Sequence, residues 1–330
     1  MRSMLLRSVL TLSLGAASLA ASAQRKWIRD YKEPEFSEPI GWSLGMTTGL
    51  SDLWGDVGTK SPIDHYGNGE YWNEPHFMGS IYLRYTLHPA FAMRLSAGFG
   101  TLYARDSWNK DAAEGAESLE DDAVQRYLRN QDVRNRVWEG SLMAELMPRR
   151  FNATTSGARR RFQPYLMAGI GVINHRPQTT WTSRPTNGGG HGQWVDIWDL
   201  NLEGQGWNFP NAPAKEDRWQ IAVPLGIGAR WDLGEQIGLG VEYLFRFTTT
   251  DYLDGVSAKY IPTSYYEAQL PEDKVQMARD ISDKTWQILG KEYSHAAGER
   301  RGDRNSNDAF STLSVNFFWK LNSRKRPWWN

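Results

Sequence analysis

Apolar and polar residues alternate along this chain in stretches too regular to be loops. From Phe91 to Tyr103, one parity holds Phe91, Met93, Leu95, Ala97, Phe99 and Tyr103, and the other holds Ala92, Arg94, Ser96, Gly98 and Gly100. A period of two marks a strand with one oily and one polar face. Ile237 to Thr248 repeats it, setting Ile237, Leu239, Val241, Tyr243, Phe245 and Phe247 against Gly238, Gly240, Glu242 and Arg246. Trp219 to Trp231 does so again, with a Trp at each end of its oily face, as an aromatic girdle would look in sequence. Five less regular stretches follow the same template: Ile40–Leu50, Phe77–Leu87, Val137–Met147, Phe162–Ile173 and Phe310–Leu321. Each is about 11 to 13 residues long, against the ~9–11 that a tilted strand needs to cross a bilayer. Pro164 falls near a strand start, where a missing N–H is tolerable; Pro224 falls mid-strand, where a bulge or irregularity is expected.

The connections alternate between short and long. His88-Pro89-Ala90, Asp232–Gln236 and a link over 148–161 are the short ones; polar links over about 52–76, 105–135, 174–217 and 249–309 are the long ones. This rhythm matches outer-membrane barrels, with short turns in the periplasm and long loops outside. An even strand count then leaves both termini periplasmic. The fold class expected is all-β: an eight-stranded antiparallel transmembrane β-barrel with long extracellular loops containing short helices. An exported soluble β-sandwich would explain the alternation but not the rhythm of the connections.

Composition supports this reading. At 330 residues the net charge is +0, so no basic footprint points to nucleic acid, and there are no Cys residues, which excludes disulfides and thiolate chemistry. No later run reaches the ~18 apolar residues of a spanning helix, and a mean hydropathy of −0.60 suits alternating strands diluted by loops. The 16 Trp and 14 Tyr are amphipathic rings of the kind that gather at membrane interfaces. Arg2 and Arg7 flank the apolar stretch Val9–Ala20, which ends in Ala21-Ser22-Ala23. That layout reads as a secretory signal peptide over 1–23, with Gln24 the first mature residue. A periplasmic segment over 24–39, the barrel over 40–321 and a basic, aromatic tail over 322–330 complete the organisation.

Turning the oily parity outward sends Arg84, Arg94, Glu139, Glu145, Arg230, Glu242 and Arg246 inward. Facing lipid, an Arg near the midplane would cost ~2–4 kcal/mol. Inside an eight-stranded barrel, which has room for little more than side chains, these residues can pair as a structural ion-pair network. The expectation is a plugged barrel; an ion path is the alternative.

In the loops, 111–130 and 271–289 have helical composition, with Val275, Ala278, Ile281 and Ile288 on one face and Pro271 and Glu272 opening the helix. Trp181 to Gly206 is rich in Trp and Gly, suited either to stacking on carbohydrate or, more simply, to wedging loops together. No His pair has metal-ligand spacing. His175, Glu203 and a loop serine can be imagined as a hydrolytic group, but nothing in the spacing selects them. No catalytic residue, cofactor or metal is expected.

Several segments resemble a known family. Thr250–Tyr260, containing Asp251, Tyr252, Asp254 and Ser257, is similar to the Thr-Asp-Tyr-Leu-Asp-Asp-Val-Ser signature of PorG-like barrels. These are outer-membrane components of the Bacteroidota type IX secretion system. Glu203-Gly204-Gln205-Gly206 resembles the family's Thr-Glu-Gly-Gln-Gly segment, with Leu202 in place of Thr. Gln163–Gly171 resembles one of its strands, and Arg301-Gly302, then Asn307-Asp308, matches its Arg-Gly-Asn…Asn-Asp stretch. Ser51–Leu53 with Gly55-Asp56 sits where the family has a Gly-Asp turn. The likeness spans roughly 40–320, although the long loops are large for the family and the chain continues past Trp319 into its tail. It implies a non-enzymatic role beside a periplasmic ring of PorK and PorN proteins. Arg149, Arg150, Arg159, Arg160 and Arg161 would then offer bidentate grips on partner carboxylates, and solvated basic turns are the alternative. A structural or adhesive surface barrel and a lipid-modifying barrel enzyme are the other functional classes. In the signature loop, Asp251 and Asp254 suit a tightened turn ending at Ser257; calcium would require six or more oxygens.

Overall fold

The computed structural model describes residues 41–59, 76–88, 90–150, 162–184, 191–234 and 236–321. Among the described residues nine strands follow one another: β1 (Gly41–Trp54), β2 (Phe77–His88), β3 (Phe91–Arg105), β4 (Asp132–Leu146), β5 (Phe162–Thr182), β6 (His191–Asp196), β7 (Trp219–Asp232), β8 (Ile237–Thr248) and β9 (Ala309–Lys320). Eight of them close an antiparallel barrel. β1 pairs with β2 and β9, neighbours in sequence pair around the wall, and β4–β5 completes the ring. Closure satisfies backbone groups that lipid cannot. The expected segments 1–23, 24–39 and 322–330 lie outside the described residues.

Three strands run further than the alternation suggested, the first being β1, which continues past Leu50 to Trp54. β4 begins at Asp132, five residues before Val137, and β5 continues to Thr182, so Arg134 pairs with Gln178 beyond the apolar zone. The outer part of β5 leaves β7 behind and forms a hairpin with the short β6, Gln178 opposite Asp196. Above the lipid, an outward side chain has no need to be apolar, so the alternation fades while the backbone ladder continues. At Pro224 the register does not shift. Instead the β5–β7 ladder skips from the Ala168–Leu225 pair to Gly171–Ala222, while Pro224 still lies opposite Arg246 on β8. The missing N–H opens a gap rather than a bulge.

The outward parity forms an apolar belt. Leu44, Met46, Ile81, Leu95, Leu142, Ile170, Ile227, Val241 and Val315 are all exposed. Trp219 and Trp231, 62% and 41% exposed, mark its two edges. The twelve steps between them, at ~3.3 Å each and tilted ~40°, rise about 30 Å, close to a hydrocarbon core. Ring pairs thicken the edges: Trp42–Tyr85 at 4.7 Å and Phe162–Trp231 at 4.9 Å by the short turns, Phe99–Trp138 at 4.5 Å toward the long loops.

The inward parity gathers the seven charged residues singled out above, all of them buried. Glu145 on β4 takes Arg84 of β2 at 2.7 Å and Arg230 of β7 at 3.0 Å, with Arg94 of β3 at 3.7 Å. Arg94 also reaches Glu242 of β8 at 2.8 Å, and Arg246 meets Glu139 at 2.8 Å. Aromatic and polar groups fill the spaces between them. Arg94 lies 3.7 Å over the Tyr82 ring and Arg230 4.5 Å over Tyr165, while the Tyr82 hydroxyl donates to Asn316 at 2.6 Å. Tyr165 and Asn316 both donate to Glu242. Near the short turns, Lys320 pairs with Asp232 at 2.9 Å. Such networks contribute little net stability against an apolar core, yet removing one partner strands the others in a low-dielectric space.

Replacing Glu242 by Leu is therefore expected to cost ~3–5 kcal/mol, read as a lower urea midpoint for the folded barrel in detergent. The filled interior also predicts no unitary conductance in planar bilayers for the unaltered protein; discrete channel steps would contradict the plugged interior.

Candidate functional site

The four long connections converge at the end of the barrel opposite the short turns. The first leaves β1 through Gly55–Gly58. The second carries the helices Lys110–Glu114 and Asp122–Arg129, the third follows β6, and the fourth, between β8 and β9, carries the helices Thr263–Gln269, Glu272–Ser282 and Thr285–Leu289. The two expected helical regions are thus each broken into short helices. Ala278 and Ile281 are fully buried against Leu200, Leu202 and Tyr266, with Val275 packed beside them. The helix Asp122–Arg129 is capped by the Asp121 side chain, which accepts from Ala123 N at 2.8 Å.

At the centre, the residues of the family-like segments meet in one buried polar knot. Asp308 Oδ2 accepts the backbone N–H groups of Leu253 at 2.8 Å and Asp254 at 3.2 Å. Asp254 Oδ1 accepts Val256 N at 2.8 Å, the tight Asx turn its spacing suggested, and Oδ2 reaches across to Val57 N at 2.8 Å. Glu203 accepts Ser257 N at 3.0 Å, Ala258 N at 2.8 Å and the Tyr252 hydroxyl at 3.2 Å, and it pairs with Arg301 at 2.7 Å. Arg301 further donates to Gly255 O at 3.0 Å. Gly204 and Gly206 hold φ of 72° and 75° in the turn that presents Glu203, and Gln205 closes that turn by accepting Glu203 N at 3.1 Å. Gly302 N donates to Ala258 O at 3.0 Å, and Tyr260 stacks on His295 at 4.3 Å. Below the knot, Leu253 and Val256 drive into an apolar cluster with Leu53, Val137, Ile173 and Phe310, stoppering the barrel mouth.

The second loop is tied in by residues that the alternation and the family resemblance did not single out. Arg129 grips Asp106 with two bonds of 2.8 Å and donates to Arg301 O at 2.7 Å. Asp106 also accepts Gly58 N at 3.1 Å and Gln131 N at 2.9 Å. Arg126 donates to Gly58 O at 3.0 Å. The one sequence signal was two arginines three apart on the short helix just before β4. Farther out, Lys284 is buried against Asp132 and Thr179.

Five carboxyls crowd this knot: Asp56, Asp251, Asp254, Asp308 and Glu203. Asp254 Oδ2 and Asp308 Oδ1 both lie where a Cβ on Gly55 would sit, at 2.5 and 2.7 Å from that point, so only glycine leaves them room. Burial raises the Asp254 carboxyl to about 7, with Asp56 adding to the shift and the Val57 and Val256 amides opposing it. Burial raises Asp251 to about 8, partly offset by the Ser257 hydroxyl and reinforced by Asp254. Asp308 is held well above the carboxylate range by burial and then by Asp254. Among the described residues no group of three or more His, Asp or Glu is arranged to hold a metal ion.

The remaining expectations fall elsewhere. His175 lies against Asn135 and the Trp198 ring, while Glu203 is committed to Arg301, so the imagined hydrolytic group does not assemble. The loop tryptophans act as wedges: Trp181 donates to Asp280 at 3.1 Å, Trp194 packs on Tyr103 at 6.0 Å, and Trp207 packs on Tyr266 at 5.9 Å. Arg149 sits by the short turns, 6.0 Å over the Phe162 ring. Arg159, Arg160 and Arg161 lie outside the described residues, as does the side chain of Arg150.

The closed wall, apolar belt and ionic interior define an outer-membrane-type β-barrel. No protein-family model matches the chain, and no curated protein does. Among solved structures it is similar to the attachment invasion locus protein Ail of Yersinia pestis, solved in complex with the heparin analogue sucrose octasulfate. That match has 9% identity over 86% of this chain and 100% of that chain, with a TM-score of 0.35. Neisserial surface protein A matches at 9% identity over 85% and 97%, with a TM-score of 0.33. OprG from Pseudomonas aeruginosa matches at 8% over 86% and 98%, with a TM-score of 0.30.

Because the raised carboxyls hold protons in the folded loops that they would release if unfolded, their contribution is complete below about pH 4 and is lost as pH rises through about 7 to 8. Amide exchange at Val57, Leu253 and Asp254 is expected to show lower protection at pH 8.5 than at pH 5.5, after correction for intrinsic rates. Asp308→Asn, which keeps an acceptor for the two amides and supplies the proton permanently, should flatten that dependence. An unchanged slope in the variant would remove Asp308 from the account.

Proposed function

We propose that this protein is a non-enzymatic outer-membrane scaffold of the type IX secretion machinery, docking a PorK/PorN-type periplasmic ring at the membrane. One observation supports the reading above others. The segments that resemble the PorG-like signature, Glu203–Gly206, Thr250–Tyr260 and Arg301 to Asp308, lie as much as 100 residues apart yet share hydrogen bonds in a single buried knot. A signature whose parts depend on one another in space is more than a chance run of turn residues. The filled interior argues for holding and positioning rather than conduction. In this reading the short turns and both termini face the periplasm, and Arg149, Arg150 and Arg159–Arg161 present guanidinium groups to ring carboxylates. A structural surface barrel without secretion partners is the second reading, consistent with the same closed wall and elaborate loops.

Deleting the gene is expected to trap type IX cargo in the periplasm, measured by immunoblot of culture supernatants. Changing the five turn arginines to Ser should reduce co-purification of the ring proteins by about tenfold, near 1.4 kcal/mol, with the barrel still folded. Undiminished capture would sink the docking surface, and normal secretion in the deletion strain would sink the machinery assignment.

A further inference from the structure

The outer loops also enclose a cleft of about 960 Å³, between the turn at 209–213, the segment 257–265 and the turn at 297–305. Ligand sites commonly span ~300–1,000 Å³. Its apolar side is aromatic: the half-buried rings of Phe209 and Tyr265 stack on each other at 4.8 Å and 17°, one backing the other, beside Pro210 and Pro262, whose fixed φ stiffens the turns. Its charged surface is cationic. Lys259 and Arg300 face each other across an antiparallel bridge, Arg304 follows on the next turn, and all three are exposed. Of the two acids lining the cleft, Glu203 is neutralised by Arg301 in the floor at 2.7 Å, and Asp303 lies a loose 3.9 Å from Arg300. Three cations against that one carboxylate leave an excess of two positive charges.

The backbone around the cleft is already used. Tyr260 N donates to Glu299 O at 3.0 Å, Gly298 N to Tyr260 O at 2.8 Å, and Arg301 N to Ala258 O at 2.9 Å. An incoming peptide strand would find these amides occupied. What the cleft offers is an aromatic face and exposed cationic tips above a floor held by the knot, to which Glu203 and Ser257 belong. A flat sugar face packs on such rings, and its acidic substituents take the guanidinium and ammonium groups. A floor held in place beforehand lowers the ordering cost of binding.

We propose that this cleft binds a soluble anionic oligosaccharide, with a sugar face on the Tyr265 ring that Phe209 backs and its sulfate, phosphate or carboxylate groups on Lys259, Arg300 and Arg304. The proposal is independent of the secretion role. The test is calorimetric titration of the full barrel in detergent, at low salt, with a sulfated dextran oligosaccharide and with unsulfated dextran of the same length. The sulfated probe is expected to bind and the unsulfated one to bind at least about tenfold more weakly. The pair Lys259→Ser and Arg304→Ser, at exposed positions, should weaken binding by about tenfold or more, as should Tyr265→Leu, which keeps apolar volume but removes the flat ring. Lys110→Ser, on the second loop and outside the cleft, should leave binding unchanged. Absence of binding by the sulfated probe would overturn the proposal. So would equal weakening by Lys110→Ser, indifference to Tyr265→Leu, or equally tight binding of a polyglutamate of matched charge.

Discussion

A strand in lipid can leave no backbone N–H or C=O unpaired, and its side chains alternate strictly between two surroundings. Closing the β4–β5 seam meets the first demand. The second follows from it: once Leu95, Trp231 and Val241 face outward, their neighbours Arg94, Arg230 and Glu242 must share a narrow interior. The ionic network is thus a consequence of the oily belt as much as a feature in its own right. Glu145 shows how it is resolved, since one buried carboxylate answers arginines from three different strands.

At the loop end the same problem is solved differently. The strand ladders stop, and the mouth must be covered by irregular backbone whose polar groups still need partners. Carboxylates supply them. Asp106, Asp254, Asp308 and Glu203 each accept at least one backbone amide, and the acids and their donors together draw on all four long loops. Burial, and after it the closeness of neighbouring acids, raises the carboxyls of Asp251, Asp254 and Asp308, while Arg129 and Arg301 tie the loops by fixed charges.

Together these make a rigid object at both ends of the bilayer: a plugged wall below and a cross-braced platform above. Rigidity of this kind suits a scaffold, and it also fixes the cleft beside Phe209 and Tyr265 as a standing surface feature. The two proposed roles would use different residues at opposite ends of the barrel, so one could be altered without the other.

The sequence by itself determined the wall. Wherever lipid imposes alternation, as in β3, β7 and β8, strand limits and facing were legible to within a residue or two. They were less so where the chain rises above the membrane: the last residues of β1, the first residues of β4, the outer half of β5 and all of β6 were read as loop, because no apolar parity is required there. Parity also identified the seven inward charges but not their pairing, which depends on register across the ring. The knot was half legible. Short-range chemistry announced Asp254 and its turn, and family resemblance marked Glu203, Arg301 and Asp308. Arg129 and Asp106 gave almost no local signal, since their partners stand tens to hundreds of residues away and only tertiary closure brings them into reach. The cleft likewise exists only in three dimensions, because its cations and rings come from separate loops that the knot holds together.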